Sequence, residues 1–214
     1  MSGILDILNS DLGKSLVSGV ATQTNQPQGK TQEVLSMALP VLMTAMKRNA
    51  STPDGAQGLL SALTSKHDGS ILDNLGGLFG SGGVDSNVIS DGSKILGHVL
   101  GNKQGNVENA ISAKSGVDAG SVAQILKVAA PILMGMLGNQ AKQKNVNTPS
   151  GLDGLLGGLL GGSSTKNEQS FLESILDANK DGSVIDDVAG MLLGGDKKKG
   201  GLGGLIGGLF GGKN

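Results

Sequence analysis

"VLSMALPVLMTAM" at residues 34–46 resembles "ILKVAAPILMGML" at residues 125–137, with Pro40 against Pro131. In the first stretch Val34, Leu35, Ala38, Leu39, Leu42, Met43 and Met46 return at intervals of three and four, the period of an amphipathic helix. A proline in mid-helix removes one backbone donor, so each helix is expected to kink there. The same proline at the same place in both suggests that the bend belongs to the packing.

Two further pairs follow in the same order. "STPDGAQGLLSAL" (51–63) resembles "NTPSGLDGLLGGL" (147–159), with Pro53 against Pro149. "HDGSILDNLGGLFG" (67–80) resembles "KDGSVIDDVAGMLL" (180–193). Self-similarity in a fixed order marks a duplicated unit. The reading is one helical domain over 1–195, with copies at about 18–80 and 115–195 joined by 84–114, and a Gly/Lys-rich tail over 196–214. Thr52-Pro53 and Thr148-Pro149 each place an N-cap before proline at the first helical position. Ser121 with Gln124, and Thr165 with Glu168, read as capping boxes. Gly116 reads as a C-cap. The segment 90–100 looks helical, with Ile95, Leu96, Val99 and Leu100 on one face. No stretch alternates with period two for long enough to make a sheet. The fold class is therefore all-α and multihelical: about ten short helices in two duplicated units, ending in a Gly-rich C-terminal tail.

Composition narrows the function. With no Cys there is no disulfide framework, thiol nucleophile or thiolate zinc site. A net charge of −1 and the absence of Trp and Tyr argue against nucleic acid as a partner. Met1–Val20 lacks the basic start and apolar run of a secretory signal, with Asp6 and Asp11 interrupting it. No run of about 18 apolar residues predicts a transmembrane helix. The expected location is the cytoplasm.

Glycine, at 38 residues, is in large excess. "GLDGLLGGLLGG" (151–162) carries Leu152, Leu155, Leu156, Leu159 and Leu160 on one helical face. "GLGGLIGGLFGG" (201–212) repeats this with Leu202, Leu205, Ile206, Leu209 and Phe210. Each glycine costs about 1 kcal/mol against alanine in a helix, and burying a large apolar side chain returns about 1.5–3 kcal/mol. Such helices form only against a partner surface. For 151–162 the expected partner is the protein's own core. For 200–212 a flexible tail competes with an adhesive one that docks on the domain itself, on a second copy or protein partner, or on a membrane surface, self-association ranking above the membrane. Lys197, Lys198 and Lys199 are too few for strong membrane anchoring.

"DANKDGSVIDDVAG" (177–190) opens like a calcium-binding EF-hand loop. Asp177, Asn179 and Asp181 fill ligand positions 1, 3 and 5, Gly182 sits at 6, and Ser183 offers its backbone carbonyl at 7. Position 12, normally a bidentate Glu, is Val188, and Asp187 lies one place early. These residues are the candidate ligands of a degenerate, EF-hand-like Ca2+ site, for which a well-capped helix start is the competing account. The first copy has Thr64, Lys66 and Asp68 at positions 1, 3 and 5, so the shared feature is a helix start, with Ser70 or Ser183 as N-cap and Asp73 or Asp186 three residues on. That reading leaves Asp177 and Asn179 unaccounted for.

No metal-protease, hydrolase-elbow or phosphate-loop motif occurs. His67 and His98 are the only histidines and the only residues with an enzymatic case; a packing or capping role is the competing account of both. Taken together, "ALPVLMTAM", "HDGSILDNL", "ILGHVLG", "APILMGMLG" and "DGSVIDDVAGML" resemble the bacterial family called domain of unknown function 937, and more distantly the YidB-like helical proteins. The resemblance covers about 1–195 and implies a multihelical bacterial protein with no established activity. The leading functional expectation is a non-enzymatic interaction or self-assembly module; the alternative is a calcium-binding protein.

Overall fold

Both proline-bearing segments are single unbroken helices, Gln28–Asn49 and Ala119–Gln143, in a computed structural model that describes residues 4–79 and 84–161. In chain order the described elements are α1 (Ile4–Asn9), α2 (Asp11–Thr24), α3 (Gln28–Asn49), α4 (Pro53–Ser65), α5 (Ser70–Asp73), α6 (Leu75–Leu78), α7 (Ser86–Leu100), α8 (Gln104–Ser115), α9 (Ala119–Gln143) and α10 (Pro149–Gly161). A 3-10 turn, Gly101–Lys103, joins α7 to α8. There is no strand among the described residues, as the periodicity predicts.

The helical period places the core. All seven periodic residues of α3, from Val34 to Met46, are buried. On α9 every residue from Val128 to Met134 is buried, and the burial continues through Gly138. α9 is long and apolar enough to cross a membrane, but 72% of its most apolar window is buried by other helices, and it acts as the central strut.

The two copies interlock. α3 and α9 pack on each other. α4 lies more heavily on α9 than on its own neighbour α3, and α10 more heavily on α3 than on α9. α2 touches α9 as α8 touches α3. The register that pairs Pro40 with Pro131 also pairs Asn25 with Gly116, both left-handed (φ 52° and 71°). It pairs two buried hydroxyls as well: Thr24 Oγ1 donates to Val20 O at 2.7 Å, and Ser115 Oγ to Ile111 O at 2.8 Å. α2 and α8 thus share the register of the long helices that follow them.

Several caps stand as read. Gly55 N–H donates to Thr52 Oγ1 and Gly151 N–H to Thr148 Oγ1, both at 3.2 Å. Gly116 ends α8. Two differ. α9 begins at Ala119, and its cap is Asp118, whose carboxylate accepts from Ser121 N–H at 2.9 Å; Ser121 and Gln124 therefore lie inside the helix instead of opening it. Ser70 is likewise the first residue of α5 and not its cap. Asp68 Oδ1 accepts Ser70 N–H at 3.1 Å, which frees the Ser70 position for the helix. A carboxylate two or three residues ahead outcompetes a hydroxyl for the free N–H groups because its charge strengthens the bond. The segment after Ser70 also breaks in two at Asn74, where φ is −128°.

Candidate functional site

His67 sits in the turn between α4 and α5, on top of α9. The chain reaches that place through two glycines. A β-carbon on Gly138 would lie 1.7 Å from His67 O and 2.9 Å from Leu63 O, so α9 takes the turn directly against its backbone. Gly69 has φ +104°, and a β-carbon there would meet Asn139. His67 N–H donates to Ala62 O at 3.0 Å and closes the end of α4. The ring is 9% exposed, with Nε2 3.6 Å from Asp91 Oδ2 of α7. Burial holds the imidazole below its ordinary value; the Asp91 carboxylate pushes it back up, and Lys66 lowers it further. Next to it, the Ser70 backbone and hydroxyl bonds hold the Asp68 carboxyl below the usual range.

A neutral imidazole beside a carboxylate binds a proton when the pH falls. A general base must also reach a substrate proton, and here Nε2 faces Asp91 while the ring is largely covered. The arrangement sets the His67 ring of the α4–α5 turn beside Asp91 of α7. His98 is exposed, about 10 Å further along α7 than Asp91; its backbone carbonyl accepts from Asn49 Nδ2 at 3.1 Å. The structure therefore brings His67 to Asp91 and leaves His98 on the surface. Asp91 carries no sequence signal: it lies in another helix, and only the packing of α7 on α9 brings it in.

A cleft of about 780 Å³ lies between α2 and the α5–α6 segment. Leu12, Leu72, Leu75 and Phe79 form its apolar lining, with Ser15 and Ser18 beside them. The Phe79 ring rests on Gly19, where a β-carbon would lie 2.2 Å from it. No three acidic or histidine side chains gather in a metal-binding group among the described residues. The candidate calcium ligands Asp177, Asn179, Asp181, Ser183 and Asp187, the Thr165–Glu168 capping pair and the tail 196–214 all lie outside the described residues.

Fold and site together define an all-α bundle built from a duplicated helical unit. The family model described as "Bacterial protein of unknown function (DUF937)" matches residues 6–140 and 141–214. The chain belongs to that bacterial family, whose function is unknown. No curated protein and no solved structure matches it.

Proposed function

We propose that the protein is a non-enzymatic interaction module that assembles through leucine-striped, glycine-faced helices. The observation that supports this is α10. Leu152, Leu155, Leu156 and Leu159 are buried, and α10 lies against α3 and α4. Gly154 and Gly161 look into open space. A helix of this composition is therefore used in this chain as an adhesive strip, and residues 201–212 repeat its pattern. On this reading the tail strip takes a surface on a second copy. Sedimentation velocity over a wide concentration range, on the full chain and on residues 1–195, tests it. The full chain gains mass with concentration and the shortened chain does not; identical monomers in both rule out tail-mediated assembly.

A second reading, calcium binding by the 177–187 loop, is favoured by one observation. In the described counterpart of the loop Asp68 Oδ1 accepts Ser70 N–H; a helix start of that kind would account for the acidic residue at Asp181 and for neither Asp177 nor Asn179. Calorimetric titration of chelator-stripped protein with calcium, against Asp177→Ala, tests it. Heat at micromolar calcium that the variant lacks supports the loop as a site; no heat up to millimolar calcium removes it. A cytoplasmic location is part of this proposal, and cell fractionation checks it.

A further inference from the structure

The contacts between the two copies are reciprocal. α3 crosses α9 at the centre, α2 lies on α9 as α8 lies on α3, and α4 lies on α9 as α10 lies on α3. Single contacts follow the same rule. In the register that sets Pro40 against Pro131, Lys30 answers to Ser121 and Lys47 to Gly138. Gln26 Nε2, in the turn before α3, donates to Ser121 Oγ at 3.0 Å; Lys30 Nζ donates to Ser115 O, beside the turn before α9, at 2.6 Å. Lys47 of α3 pairs with Asp153 of α10 at 3.7 Å, and a β-carbon on Gly138 of α9 would stand 2.9 Å from Leu63 O of α4. An interface in which one patch meets the other as the other meets it is the kind that joins identical subunits. Here it joins two halves of one chain, through residues 80–83, Gly-Ser-Gly-Gly.

We infer that each half recognises the opposite half of a second copy of this chain, so that two chains exchange halves and close into a swapped dimer. Residues 4–79 of one chain then lie on 84–161 of the other, and the reverse. α4 and α5 show why the first half seeks a partner: they take most of their packing from α9 and α10. Val84 N–H donates to Gln23 Oε1 at 2.9 Å, again across the halves. A joint opened within 80–83 therefore keeps every contact among the described residues, now made between chains. The stretch from Phe79 to Val84 reaches roughly 18 Å when extended, which lets the chain pass from one bundle to another laid beside it. A short flexible joint gives an effective concentration on the order of 1 mM. The closed monomer thus dominates in dilute solution, and the dimer rivals it only near that concentration. The inference needs neither residues 196–214 nor the tail contact proposed above, and it stands or falls separately.

Ile71 of α5 and Gly135 of α9 face each other across the halves. Ile71 Cβ lies 3.9 Å from where a β-carbon on Gly135 would stand, the spacing of a disulfide. Gly135 is buried, so a thiol there is shielded from collision with another folded chain, and the chain has no cysteine of its own. Full chains carrying Ile71→Cys alone and Gly135→Cys alone are mixed, refolded together from urea and oxidised mildly. The double variant is the reference for a link within one chain. Exchange also spares the new β-carbon at position 135 a collision with Ile71 Cγ2. A covalent heterodimer is expected near roughly 1 mM, and about 100-fold less of it relative to monomer at about 10 µM. A reference that links while the mixture yields no heterodimer at either concentration overturns the inference. Should the cysteine variants not fold, the parent chain supplies the second measurement. Refolded near roughly 1 mM, it is expected to hold a dimer that survives dilution in native buffer and returns to monomer only at the slow rate of unfolding. A parent that refolds wholly as monomer refutes exchange, and so does a dimer lost at once on dilution, which would belong to the tail contact.

Discussion

Gly138→Ala adds one methyl group to the middle of α9, and the structure gives that methyl nowhere to go. It would stand 1.7 Å from His67 O and 2.9 Å from Leu63 O, both backbone atoms. The turn must retreat by at least about 1.3 Å merely to reach a 3.0 Å contact, in an interior packed like an organic crystal. Overpacking of this kind costs typically 1–3 kcal/mol, and a backbone neighbour puts it at the upper end. The better helix propensity of alanine returns about 1 kcal/mol, so the net loss is about 2 kcal/mol. Gly154→Ala is the internal comparison. Its β-carbon meets nothing within 4 Å, so only the propensity term acts and the variant gains up to about 1 kcal/mol. Urea unfolding of both variants against the parent reads the difference at unchanged slope. Two shifts of the same sign would refute the close seat of the α4–α5 turn on α9.

Other substitutions test other contacts. Leu156→Ala, at a fully buried position of α10, should cost about 2–5 kcal/mol, read by the same unfolding curves. Asp118→Ala removes the α9 cap and should cost about 1 kcal/mol, whereas Gln124→Ala on the exposed side should change stability by less than about 0.5 kcal/mol; equal losses would restore the Ser121–Gln124 box. The folded protein favours the neutral His67 ring, because burial lowers its affinity for a proton below the ordinary 6.5. Its contribution is therefore present above pH 6.5 and is lost as the pH falls below that value. His67→Gln should flatten the decline in thermal stability between pH 7 and pH 5, a slope that calorimetry follows.

The long helices, their prolines and the paired Thr-Pro starts were legible in the sequence because each rests on local chemistry: period, propensity or a cap within one turn. The leucine stripe of α10 was legible for the same reason, and so was the need for a partner surface. What the sequence did not show is which surface. α10 covers the α3 of the other copy, a choice made by the crossing of α3 and α9 and not by anything inside residues 149–161. The caps at Ser121 and Ser70 were misplaced because two side chains compete for the same free N–H groups, and the nearby Asp118 and Asp68 hold them. Of the candidate site, His67 was visible as a lone histidine, but its partner Asp91 was not. The glycines that admit the turn, Gly69 and Gly138, read as ordinary members of a Gly-rich chain until the backbone contacts distinguish them.

The copies form one interlocked bundle, with α4 resting on the other copy's α9 and α10 on the other copy's α3. Differential scanning calorimetry of the full chain beside Leu60→Ala, in the first copy, and Leu156→Ala, in the second, tests this directly. One transition, lowered as a whole by either substitution and with calorimetric and van't Hoff enthalpies in agreement, is the predicted result. Two separable transitions, each moved by only one of the variants, would show that the copies fold independently and would contradict it.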